Sequence, residues 1–158
     1  MRDIRHDSAI TAFQQKRSGD AAAFFVPFLA PGMRLLDIGC GPGTITAALA
    51  GIVSTAIGVD IEPNAITAAQ QLAAHSGATH LSFVEADMTA LPFEDGAFDA
   101  VFFHAVLYHQ SQTKLTETLA EARRVLKPGG VLGTCDADVG GNILHPELDG
   151  VRLALDLW

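Results

Sequence analysis

Three glycines at alternate positions, Gly39, Gly41 and Gly43, follow an apolar run that carries a single acid, Leu35-Leu36-Asp37-Ile38. Without a Cβ, each glycine can take the left-handed backbone and let a ligand lie against bare main chain. Thr44 and Ile45 then open a helical pattern whose first N–H groups point back at the turn. A strand, a glycine turn and a helix start, in that order, make the place where open α/β sheets hold nucleotide-like cofactors. The same turn also occurs in dinucleotide enzymes and as plain structure, so other residues must choose between these readings.

Asp60 closes a second apolar run, 23 positions after Asp37 (60 − 37). An acid about 20 residues beyond such a turn can accept from ribose hydroxyls. It could also cap the helix that opens at Pro63, but the glycine turn upstream favours the ribose. A third run ends in Glu85-Ala86-Asp87-Met88, which places an acid on the same rim to accept from an exocyclic amine and a thioether to pack on a flat ring. A fourth run ends in His104, with Tyr108 and His109 close behind. Histidine exchanges a proton near neutral pH, so His104 is either a lining residue or a proton acceptor, whereas His109 is read as packing or capping at the next helix. Cys40 and Cys135 have neither CxxC nor Cys/His ligand spacing and are read as reduced and structural, with no metal and no disulfide framework.

These residues need a scaffold that brings four run-ends to one rim. The 158 residues suit one domain, and 49% hydrophobic against 18% charged residues implies a core in more than one layer. Ten Lys and Arg against 18 Asp and Glu, net −8, argue against nucleic acid and for a small-molecule substrate. Strands are predicted at residues 34–38, 55–59, 81–86, 100–104 and 131–135, alternating with helices near 44–50, 63–76 and 113–126. That is the pattern of a parallel sheet covered on both faces. Pro63 suits a helix start and Gly77 a helix stop. The third helix is expected to bury Leu115, Leu119, Ala122 and Leu126 and to expose Glu117, Glu121 and Arg124. Lys127 to Gly130 are expected to turn the chain into the fifth strand. Residues 21–30 are apolar after Lys16 and Arg17, but Asp20 and Pro27 interrupt them. They are read as an amphipathic helix over the sheet rather than a signal segment, which makes the expected compartment the cytoplasm. No run is long enough to span a membrane.

The ordered set LLDIGCGPGT, GVDIEP, EADMTALPF, FDAVFFHAVLYH and RVLKPGGVL resembles the S-adenosylmethionine-dependent methyltransferases of class I, the seven-stranded Rossmann-like class, in their small-molecule branch. Five motifs in order are far more specific than any one of them. The resemblance implies a three-layer α/β fold with a parallel sheet of strand order 3-2-1-4-5. It also implies methyl transfer from S-adenosylmethionine, with S-adenosylhomocysteine as product. In that frame the loop of Asp37, Gly39, Cys40, Gly41 and Gly43 holds the methionine part, and Asp37 lies near its amino group. Asp60 binds the ribose with Ile61 against the adenine, Asp87 accepts from the adenine amine beside Met88, and His104 lines the methyl side as the catalytic candidate. The acceptor is not identified.

Two other readings stand beside it: a module that binds S-adenosylmethionine without turnover, and an NAD(P)-dependent oxidoreductase. The second is weaker, because its fingerprint is GxGxxG and this chain reads Gly39, Gly41, Gly43 and then Thr44. Asn-Pro-Pro-aromatic and Pro-Cys motifs are both missing, which marks down methylation of base amines and of pyrimidine carbons.

The expected organisation is a single domain, with a helical cap over residues 1–31, a core over 32–138 and the start of a C-terminal helix over 139–158. His6 and Arg17 in the cap are read as solvated. Leu148, Val151, Leu155 and Trp158 fall at helical spacing. Strands 6 and 7 of the class are expected to be absent, leaving a sheet edge and an apolar face that favour a homodimer or aggregation. Sedimentation at rising concentration should therefore show self-association; a monomer throughout would contradict this.

Overall fold

The computed structural model describes residues 19–136. The first part of the expected cap, with His6 and Arg17, and the C-terminal segment from 139 lie outside the described residues. Five strands, β1 (Arg34–Ile38), β2 (Thr55–Asp60), β3 (Leu81–Glu85), β4 (Phe98–His104) and β5 (Leu126–Cys135), alternate with three helices, α1 (Thr44–Ala50), α2 (Pro63–Ser76) and α3 (Gln112–Val125). The strands form one sheet in the order β3-β2-β1-β4-β5, and every neighbouring pair is parallel. This is the expected three-layer Rossmann-like arrangement. The strand order reverses between β1 and β4, so their carboxyl ends open a crevice.

Side chains of a strand alternate between faces, and a sheet covered on both sides needs both sets to be apolar. Leu35 and Phe102 accordingly pack with Phe25, Leu49, Ala56 and Phe83 in one core cluster. Leu36 and Phe103 pack with Val59, Val101, Ala122 and Val125 in the other. The first face is covered by α1, α2 and the N-terminal turns, the second by α3.

The amphipathic helix expected over residues 21–30 is replaced by two 3-10 turns, Gly19–Ala22 and Val26–Phe28, with Pro27 inside the second. Proline lacks the N–H that a continuing helix needs. The segment still covers the sheet. Phe25 stacks on Phe102 with ring centroids 5.3 Å apart, and a Cβ on Gly133 would come within 2.5 Å of the Phe25 ring.

β5 starts five residues earlier than its apolar run suggests. Phe98 pairs with Leu126 and Ala100 with Val131, so two steps along β4 match five along β5. The expected turn at 127–130 is therefore an excursion inside the strand. Gly129 takes φ 79° there, and Lys127 reaches back to Asp99 at 2.6 Å.

The stop of α2 is as expected, with Gly77 left-handed at φ 67°. In α3 the buried positions are Thr118, Ala122 and Val125, while Leu119 is 39% exposed. Ala122 is buried as expected, while Thr118 and Val125 take the buried places expected for Leu119 and Leu126, and Glu121 and Arg124 are drawn to a neighbouring loop. The connection from β3 to β4 has no helix, and its backbone groups need other partners. Arg124 donates to the carbonyls of Leu91 and Phe93 at 3.0 and 2.7 Å. Glu121 accepts from the N–H of Leu91 at 2.8 Å.

On β5, at the edge of the described sheet, Leu132 is 42% exposed. Thr118, by contrast, is fully buried, and its hydroxyl has no hydrogen-bond partner. An unsatisfied buried polar group costs stability, and an apolar group of the same shape removes that cost. Thr118→Val should therefore raise the unfolding free energy by about 1 kcal/mol in denaturant titration; a loss would show that the hydroxyl is satisfied.

Candidate functional site

The carboxyl ends of β1 and β4 meet at one cleft, lined by Asp37, Gly39, Cys40, Gly41, Pro42, Thr44, Ile45 and His104. The turn that shapes it has Gly39, Gly41 and Gly43 all at positive φ, 76°, 53° and 79°, a backbone that only glycine adopts readily. Two N–H groups of the turn, from Gly39 and Cys40, donate to the carbonyl of Val59 at 2.8 and 3.0 Å. The loop is thereby held to the end of β2.

At two of the three glycines the bare face meets the protein itself rather than open space. A Cβ on Gly39 would run into a methyl of Val106, and one on Gly43 into the ring of Phe83, with the Ala69 methyl at 2.9 Å. At Gly39 and Gly43, then, a side chain is excluded by packing and disfavoured by the left-handed backbone. Cys40 belongs to the same contact: its Cβ would be 2.9 Å from a Cβ on Gly58. Its thiol donates to the Gly41 carbonyl at 3.6 Å, and burial followed by the nearby carboxylates pushes its pKa well above the ordinary value. A thiol in that state is a packing group, not a nucleophile.

Asp37 is only 2% exposed. Desolvation penalises its charged form most, the like charge of Asp60 adds to this, and a hydrogen bond from Thr46 opposes it, so its pKa is raised to about 7. The Thr46 hydroxyl donates to Oδ2 at 2.5 Å. Nothing in the sequence marked Thr46, which sits nine positions downstream and comes close only because α1 folds back over β1.

Asp60 divides its carboxylate between two elements. Oδ2 accepts from the N–H of Gly41 at 2.9 Å and Oδ1 from that of Glu62 at 3.0 Å. One oxygen closes the glycine turn and the other shapes the entry to α2, whose N-cap position is Glu62 rather than Asp60. The backbone carbonyl of Asp60 accepts from Ala86 at 3.0 Å, which brings the end of β3 to the same rim. There Asp87 accepts from the N–H and hydroxyl of Thr89, both at Oδ1, at 2.9 and 2.8 Å. Those two bonds hold its pKa below the ordinary value. Ile61 is 51% exposed on this rim, while Met88 is half-buried and packs against the second core cluster.

His104 ends β4 and lies in the cleft beside Asp37. The next residue, Ala105, is left-handed at φ 56° although it is not glycine. Its N–H donates to the carbonyl of Cys135 at 2.8 Å, which holds the turn in place. Such backbone strain persists only where neighbours over-determine it and gathers at functional sites. His109 does not cap α3; Ser111 does, accepting from the N–H of Lys114. His109 is exposed and packs edge-on against Tyr108, with centroids 4.5 Å apart.

The structure thus brings Asp37, Gly39, Cys40, Gly41 and His104 into one cleft and ties Asp60 and the end of β3 to its rim. Among the described residues no cluster of three or more His, Cys, Asp or Glu could hold a metal. Among the same residues no helix is long and apolar enough to cross a membrane.

Comparison with known proteins gives a family match over residues 36–134, to the methyltransferase domain. The Aspergillus luteorubrus protein named "Probable methyltransferase ltbC" is 36% identical over 78% of this chain and 46% of its own length. Demethylmenaquinone methyltransferase of Clavibacter sepedonicus is 34% identical over 80% of this chain and 48% of its own. The solved structure of the [4+2]-cyclase SpnF superimposes with a TM-score of 0.70 at 27% identity, over 77% of this chain and 47% of that one. The chain therefore spans between a third and a half of the length of the curated relatives it matches.

The raised pKa of Asp37 predicts a pH dependence of stability. A carboxyl that holds its proton more tightly when folded contributes stability that is full below about pH 3.8 and is lost as pH rises through about 7. Asp37→Asn keeps an acceptor for Thr46 and removes the titration. Without ligand, the variant should be more stable than the parent at pH 8 and should lack the decline between pH 4 and 7 in denaturant melts.

Proposed function

The chain belongs to the methyltransferase-domain family, and on that premise we propose that it binds S-adenosylmethionine at this rim and transfers the methyl group to a small-molecule acceptor. One observation carries the reading: the bond from Gly41 N–H to Asp60 Oδ2 joins the glycine turn and the β2 acid into a single edge. Such an edge suits a ligand with a charged amino acid at one end and a ribose at the other.

When bound, S-adenosylmethionine supplies an activated methyl on a sulfonium, so the chain need not create a leaving group. The work left to its residues is to hold donor and acceptor in line and to keep water out. Asp37, buried at the cleft, takes the ligand's ammonium. Gly39, Cys40 and Gly41 present backbone to the methionine part, and Gly43 lets α1 start close to it. Asp60 accepts from the ribose hydroxyls and Ile61 covers one face of the adenine. Asp87 uses its carboxylate on the adenine amine, with Met88 beside it. His104 faces the cleft next to Asp37, where it lines the methyl side and accepts a proton from an acceptor that must lose one.

The chain acts as a single domain with its core over residues 32–138, in the cytoplasm and without a metal. The net charge of −8 supports a small acceptor rather than a nucleic acid. Because a [4+2]-cyclase superimposes on this chain, binding alone does not establish transfer, and the test has two stages.

Calorimetric titration should show binding of S-adenosylmethionine and S-adenosylhomocysteine and none of NAD; binding of NAD alone would overturn the proposal. Asp60→Ala should weaken cofactor binding by about 1 to 3 kcal/mol, the loss expected for hydrogen bonds to a charged group. Unchanged affinity would remove Asp60 from the ribose. Transfer of a labelled methyl group to a panel of phenols, amines and carboxylates then separates an enzyme from a binding module.

A further inference from the structure

Thr46 lies in the first turns of α1, fully buried, with its hydroxyl committed to Asp37 Oδ2. Threonine inside a helix commonly turns its hydroxyl back to a carbonyl of its own helix. Here the proton goes to a carboxylate on the sheet beneath.

We propose that Thr46 is a positioning residue of the cofactor site, whose hydroxyl holds Asp37 as a carboxylate facing the cleft, available to a cationic amine. This rests on the function proposed above and deepens it. A hydroxyl has one proton to donate, and donation to a carboxylate favours the charged form. The other influences on Asp37 act the opposite way: it is desolvated, and Asp60 adds a like charge. The titratable groups that line the cleft with Asp37 are Cys40 in the turn and His104 on β4; Asp60 on β2 adds its like charge, and Glu85 and Asp87 stand at the end of β3. From α1 the group in contact is the Thr46 hydroxyl itself. With the carboxyl balanced near neutrality, a single hydrogen bond decides how much of the site is charged at pH 7.

Thr46→Val keeps the shape and removes the donor, while Thr46→Ser keeps the donor. Two readouts are needed: the carboxyl carbon of Asp37 followed by NMR against pH in the free protein, and calorimetric affinity for S-adenosylhomocysteine from pH 6 to 9. In the valine variant the carboxyl midpoint should rise by about one pH unit, and affinity at pH 7 should fall about fivefold, as the ionised fraction does. The two proteins should converge towards pH 9, and serine should restore both properties. If the valine variant does not fold, Thr46→Ala carries the same comparison. An unmoved midpoint, or an affinity loss equal at every pH, would overturn the role given to Thr46. Wild-type protein that titrates as described but binds no S-adenosylhomocysteine at any pH would instead overturn the proposed function, and with it the ligand assigned here.

Discussion

The cleft depends on how closely the glycine turn can approach the sheet. The Phe83 ring fills the space that a Cβ at Gly43 or Gly58 would need, so one aromatic side chain from β3 sits against the turn, β2 and α2 together. Interiors packed to crystal-like density transmit such a constraint, because a displaced ring has nowhere to go. The close approach at Gly43 and Gly58 depends on that contact, as the approach at Gly39 depends on Val106. The residues that could meet a ligand are placed by residues that could not.

The electrostatics are set by the same geometry. Asp37 and Asp60 share one rim; the first is buried and the second divides its oxygens between two backbone N–H groups. Two carboxylates close together disfavour each other's charge, and burial adds to this at the first. A site of this kind is poorly satisfied when empty and gains from a ligand that brings positive charge. Its charge pattern therefore opposes stability and favours binding, a conflict often met at functional sites.

Much of this was legible in the chain. β1 and the bounds of α1 and α2 fall where apolar runs, Pro63 and Gly77 put them, because strands buried on both faces leave continuous hydrophobic stretches. The set of run-ends at the rim could be read because a parallel sheet brings them together whatever the loops do. What could not be read depends on contacts far apart in sequence. Thr46 matters only through the fold of α1 onto β1. Leu119 is exposed because Arg124 and Glu121 serve a loop some 30 residues upstream, an order of separation that periodicity does not see. The three extra steps of β5 opposite Asp99 likewise arise from pairing rather than from composition. Gly39 and Gly43 lie in the expected turn, and the contacts of Val106 and Phe83 where a Cβ would stand come from residues far away in sequence.

Ala105 stands left-handed without being glycine, fixed by its bond to Cys135 and followed by Val106, whose methyl lies where a side chain at position 39 would go. Positions 39, 105 and 106 therefore form one heritable unit. A larger residue at 39 evicts Val106, and the turn that strains Ala105 loses its wedge. Among diverging copies of this fold the three should change together or not at all, although the second lies 66 positions after the first (105 − 39).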